Sequence, residues 1–211
     1  MNATGSSDPP PRSAPTTTGR RATGESAARF LTEQSDLARL TATVSATTAA
    51  GTLLVAAAVR ATIAAPVRER LGYTFPAVPA HLDVAIGIFA NNGRAILGVL
   101  GLLLVAQISA RTTGGPPPIQ RVLVAGGELI LIGVAAANVL VVGAALGAYG
   151  QRMVRAVLPH GPIELAAYSL ALALYLEGRR RPLPAAHLAK VILASVALLA
   201  VAALLETFVS V

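Results

Sequence analysis

The sequence contains no cysteine and no tryptophan. Without cysteine there is neither a disulfide nor a thiolate metal site. Only 4% of the residues are aromatic and only 13% are charged, where a soluble domain carries about a quarter charged residues. A surface this poor in charge is not that of a water-soluble globule. Nucleotide-binding and hydrolytic signatures are missing as well. There is no phosphate loop, zinc finger, nucleophile elbow or dinucleotide fingerprint. The glycines of "GVLGLLLVAQ" lack the strand-to-helix setting that a nucleotide site needs. No cofactor, no metal and no enzymatic activity are therefore expected.

What the chain does have is apolar residues: 54% of its 211 positions, with a mean hydropathy of +0.65. Ala, Val, Leu and Gly dominate, a composition suited to helices packed through small residues. The net charge of +7 comes from arginines spaced between apolar runs. That spacing is a topology signal rather than a phosphate-binding face, so the expected partner is the lipid bilayer and not nucleic acid.

Residues 1–38 are rich in Pro, Ser, Thr and Gly and bury too little apolar surface to offset their ordering entropy. They read as a disordered cytoplasmic tail without a cleavable signal peptide, with a short amphipathic helix near Ser26 to Leu40. Residues 39–211 read as a membrane domain. A bilayer core of about 30 Å needs roughly 20 helical residues. Five stretches approach this: Thr43 to Ala65, Val84 to Ser109, Val122 to Tyr149, Pro162 to Leu176 and Leu188 to Val211. The predicted fold is an all-α integral membrane bundle of about five spans, the fourth short or re-entrant. With the N-terminus inside, the cytoplasmic segments hold Arg12, Arg20, Arg21, Arg29, Arg39, Arg111, Arg121, Arg179, Arg180, Arg181 and Lys190. The other side holds Arg60, Arg68, Arg70, Arg152 and Arg155. The positive-inside rule then places the N-terminus in the cytoplasm and the C-terminus outside.

Ionisable groups inside a bilayer are costly and call for a reason. Those here are Arg94, Glu128, Glu164 and Glu206, with His160, Asn91, Asn92 and Asn138. Counting residues from the span ends puts Arg94 on the order of 15 Å below the outer surface. Asn138 and Glu206 fall in the same half, and Glu128 near the inner face. The stretch "LPHGPIEL" opens the short fourth helix. Pro162 suits a first helical turn, and Gly161 gives the backbone freedom to bend before it. Pro159, His160 and Gly161 are thus expected to dip into the outer leaflet. His160, Glu164, Arg94, Glu206, Asn91, Asn92 and Asn138 form the candidate polar cluster, with Arg94 neutralised by Glu206 or Glu164.

"LPHGPIEL" at Leu158 to Leu165, "FANNGRAILG" at Phe89 to Gly98 and "LLETFVS" at Leu204 to Ser210 resemble the stage II sporulation protein M family of bacterial multi-pass membrane proteins. The resemblance covers about Thr43 to Val211. It implies a bacterial plasma-membrane protein that partners cell-wall hydrolases in peptidoglycan remodelling, without enzymatic activity of its own.

Two uses of the polar cluster stay open. It can be a structural network that orients the short helix, or the site of a small transporter or permease-like subunit. A metal site would need a further ligand beside His160 and Glu164, and His81 and His187 lie elsewhere along the chain. Gly143 and Gly147 form a small-xxx-small seam, suited to packing within the chain, with homo-oligomerisation as its other use. Arg179, Arg180 and Arg181 read as a topology anchor that lipid headgroups can also use.

Overall fold

The computed structural model describes residues 18–75, 80–111 and 117–209, with side chains for 35–75, 80–109 and 117–209. Contacts divide the chain into two units, 1–36 and 37–211. Of the first unit, the described part is helical from Thr18 onward. The helix expected near Ser26 to Leu40 is thus part of a longer one, and 18–25, expected to be disordered, are helical as well. The run "ESAARFLTEQSDLARL" is dominated by good helix formers and holds no proline. Residues 1–17 lie outside the described residues.

Among the described residues there are seven helices and no strand. They are α1 (Thr18–Thr62), α2 (Ala64–Leu71), α3 (Leu82–Arg111), α4 (Pro118–Tyr149), α5 (Gln151–Val157), α6 (Gly161–Arg180) and α7 (Ala185–Phe208). Four stretches are long and apolar enough to cross a membrane: Ser35–Thr62, Leu82–Ser109, Pro118–Tyr149 and Ala185–Phe208. The bent pair α5–α6 brings the number up to five when it is taken as one span. The polar residues Glu164, Glu177, Arg179 and Arg180 make α6 less apolar than the other four. Large apolar side chains point outward along these helices, with Leu54 at 72% exposure, Leu129 at 71% and Leu193 at 69%. Exposure of this kind on every long helix suits lipid as the surrounding solvent.

Helix directions follow from which residues meet. Gly51 faces Val139, Gly143 faces Val55 and Gly147 faces Val59, so α1 and α4 run parallel. A Cβ at Gly147 would lie 2.5 Å from the Ala56 carbonyl oxygen. The two glycines thus let the backbones approach, and the seam read from sequence joins helices of one chain. Gly127 meets Leu102, making α3 and α4 antiparallel. α6 packs between α3 and α7 and is the most buried helix: Ala167, Ala171, Ala173, Leu174 and Tyr175 are all sealed from solvent. The core of the second unit forms around this helix, with Ile96, Val99 and Leu103 of α3 and Val191 and Leu199 of α7.

α2 and α5 sit at the end of the bundle where α3 and α6 begin. Arg68 of α2 donates from Nε and Nη2 to the Ala148 carbonyl at 3.1 and 2.9 Å, satisfying an acceptor that the end of α4 leaves open. Tyr149 Oη donates to the Arg68 carbonyl at 3.0 Å and accepts from Tyr73 N–H at 2.8 Å. Gly150 turns the chain from α4 into α5 at φ 57°, a conformation that favours glycine.

Candidate functional site

Between α5 and α6 the axis bends by 62°. The bend falls at Leu158, Pro159 and His160, and Pro162 occupies the first turn of α6. Gly161 does not supply a positive φ: among the described residues only Gly72, Gly150 and Phe75 adopt one. What Gly161 supplies is room. A Cβ there would lie 2.5 Å from Val157 Cγ1, so a side chain would collide with the last turn of α5. The expected bend is present, and what glycine contributes there is the absence of a Cβ rather than a positive φ. The His160 carbonyl accepts from Ile163 N–H and Glu164 N–H, both at 3.0 Å, which ties the bend to the new helix.

This bend delivers four of the seven cluster residues to one place. Asn92 of α3 donates from Nδ2 to Glu164 Oε1. His160 is buried, and its Nε2 stands 4.0 Å from Oε2 of Glu206 on α7. Glu206 also acts electrostatically on Glu164. Tyr168, one turn beyond Glu164 and outside the cluster expected from sequence, donates to the Asn92 carbonyl at 3.1 Å. Hydrogen bonds thereby join α3 to α6, and the approach of Glu206 to His160 brings α7 beside them.

The other three stay outside. Arg94 is exposed and makes no ion pair or hydrogen bond among the described residues. Its expected neutralisation by Glu206 or Glu164 does not occur. Asn92 and Arg94 are two residues apart, about 200° around a helix, so when one faces α6 the other faces away. Asn91 is exposed on the outer side too. Asn138 is exposed and returns its Nδ2 to the Val134 carbonyl of its own helix at 2.9 Å.

A second polar assembly lies at the opposite end of α6. Gln107 of α3 donates to the carbonyls of Gly178 at 2.6 Å and Arg181 at 3.1 Å, and accepts from Leu183 N–H at 2.9 Å. One side chain thus holds the whole α6–α7 turn. Glu177 is buried, binds Arg181, and has Oε2 3.5 Å from Nε2 of His187 on α7. Glu128 of α4 sits near this end, as depth counting indicates, 2.5 Å from Tyr175 Oη and 3.0 Å from Arg179 Nε. No sequence motif marks Gln107, Glu177 or His187. The available signal is the turn "EGRRRPLPAAH", whose tight reversal sets its first and last residues opposite each other.

Among the described residues, buried polar atoms without a hydrogen-bond partner gather on one seam. They are His160 Nδ1, Ser169 Oγ, Glu177 Oε2, His187 Nε2 and Ser195 Oγ, all on α6, its N-terminal cap or α7. Ser169 lies eight residues before Glu177, and Ser195 eight residues after His187. Antiparallel helices with that pair in contact bring the two hydroxyls to one level, about 12 Å along the axis. Among the described residues no group of three histidine, aspartate or glutamate side chains could hold a metal ion. Set against family models, curated proteins and solved structures, the chain matches none of them.

Proposed function

We propose that the chain is a non-enzymatic integral membrane component of a bacterial cell-envelope assembly, related in role to the stage II sporulation protein M family. In this reading the tail is cytoplasmic and the C-terminus lies outside. The observation that supports it best is the use made of Glu164. Its carboxylate is occupied by Asn92 of a neighbouring helix, so the conspicuous acid of "PHGPIE" serves to fix α6 against α3. Its partners are membrane or cell-wall-associated proteins. Affinity purification of the full chain from native membranes tests this. Proteins that make or cleave cell wall should be enriched over a control membrane protein, and Glu164→Gln should retain them. Recovery of no envelope protein above that control would sink the reading.

A second reading, a small transporter subunit, draws on the α6–α7 seam. The buried His160 Nδ1, Ser169 Oγ and Ser195 Oγ, with the Glu177–His187 pair on the same seam, are what a hydrated path through a bundle would use. Reconstituted vesicles distinguish the two: transport predicts ion or proton flux that Glu177→Gln abolishes, and an assembly component predicts none.

A further inference from the structure

Gly87, Asn91, Arg94, Gly98 and Gly101 follow one another on α3 at spacings of four and three residues. That spacing puts all five on a single stripe of the helix. All five are exposed, and a Cβ at Gly87, Gly98 or Gly101 would meet nothing within 4 Å. The buried face of the same helix, with Ile96, Val99 and Leu103, is already committed to the core. The stripe therefore looks out of the bundle.

Arg94 lies at the centre of it, and within two residues of the middle of the span Leu82–Ser109. A guanidinium at that depth is about 18 Å of helix from one end and about 22 Å from the other, beyond the length over which an arginine can snorkel to an interface. It has no partner among the described residues. A cation facing hydrocarbon at mid-membrane is among the least favourable arrangements in a bilayer. The glycines beside it expose helix backbone that lipid chains fill poorly, and they permit close approach by another helix.

We infer that this stripe docks a transmembrane helix of a different protein, one that carries an aspartate or glutamate at mid-membrane to pair with Arg94. Charge complementarity selects the occupant. A carboxylate supplies bidentate acceptors to the guanidinium, and Asn91, one turn away, supplies a further donor and acceptor. A second copy of the chain fits less well. A two-fold contact along α3 would set Arg94 against Arg94, and the spanning-helix acids Glu128, Glu164, Glu177 and Glu206 are each engaged within their own chain. The inference needs only that α3 crosses the membrane, and holds for an envelope component or a transporter subunit alike.

The test uses the full chain in its native membranes. A photo-crosslinking residue replaces Ala90 or Leu97, exposed positions flanking the stripe, or Leu53 on α1 as control. Ala90 and Leu97 should give a discrete adduct that Leu53 does not. Its yield should fall roughly tenfold or more in Arg94→Leu, and in part in Arg94→Lys. The partner's crosslinked helix should contain a mid-span acid, and exchanging charges between that acid and Arg94→Glu should restore the adduct. An adduct of twice the chain's own mass, adducts with lipid alone, or a partner helix without an acid would each overturn the proposal. Circular dichroism and gel filtration of Arg94→Leu should match the unmodified protein, because Arg94 supports no contact in the fold.

Discussion

Single side chains at the α5–α6 bend decide whether α6 can form where it does. Gly161 is the tightest of them, since any Cβ meets Val157. Gly161→Ala should lower stability by about 1–3 kcal/mol through overpacking, and Val157→Ala should restore most of it. Thermal denaturation in detergent of the two single variants and the double variant measures this. Additive losses would mean that the Val157 contact is not the cause. Asn92 gives a second case. Asn92→Leu leaves the Glu164 carboxylate without its donor, and about 1–3 kcal/mol should be lost. Asn92→Leu combined with Glu164→Leu should cost less than Asn92→Leu alone, because an apolar pair leaves no charge to satisfy. The Arg94→Ala and Glu206→Ala effects should simply add, as the two residues do not touch.

Whole helices meet through two kinds of seam. α1 and α4 approach through glycine, and α6 and α7 are joined by a turn that Gln107 holds. Gly147→Leu should be severely destabilising, because the obstacle is the Ala56 carbonyl of the α1 backbone, which cannot rotate away. Gly133→Ala on the same helix, where a Cβ meets nothing, should be neutral or stabilising by up to about 1 kcal/mol. The difference in melting temperature between the two measures how far glycine in α4 serves packing rather than composition. Gln107→Leu removes three hydrogen bonds to the turn and should cost about 1–3 kcal/mol for the unsatisfied groups it leaves. Protease nicking at Arg179 to Arg181 should rise with it, since those bonds fix this segment.

At the scale of the molecule, directions alternate: α1, α4 and α7 run one way, α3 and α6 the other. The end of α7 therefore lies at the opposite end of the second unit from Leu37. Reporter tags at Met1 and after Val211 should lie on opposite sides of the membrane, and the positive-inside rule predicts the first on the cytoplasmic side together with Arg179, Arg180 and Arg181. Both tags on one side would mean that α5–α6 enters and leaves by the same face. The two polar assemblies, one at each end of α6, also divide the molecule: each joins α6 to both α3 and α7. α6 is thus fixed at both ends, while its middle packs through alanines.

Depth in the membrane is legible in the sequence because it depends only on counting residues at a fixed rise along each helix. That is why the all-helical architecture, the long apolar helices and the shared level of His160, Glu164, Asn92 and Glu206 are legible in the order of residues, while the same count also put Asn91, Arg94 and Asn138 in the cluster. Rotation does not. Which face of α3 turns inward is fixed by the joint packing of α3, α6 and α7, and a period of 3.6 residues sends Asn92 into the bundle while Asn91 and Arg94 turn out. The α6–α7 reversal is likewise a matter of contact: Gln107 reaches it from 71 residues away, and sequence spacing carries no record of that. Sequence determined which groups share a level of the bilayer. Tertiary structure decided which of them face one another, because helix rotation is set by non-local packing.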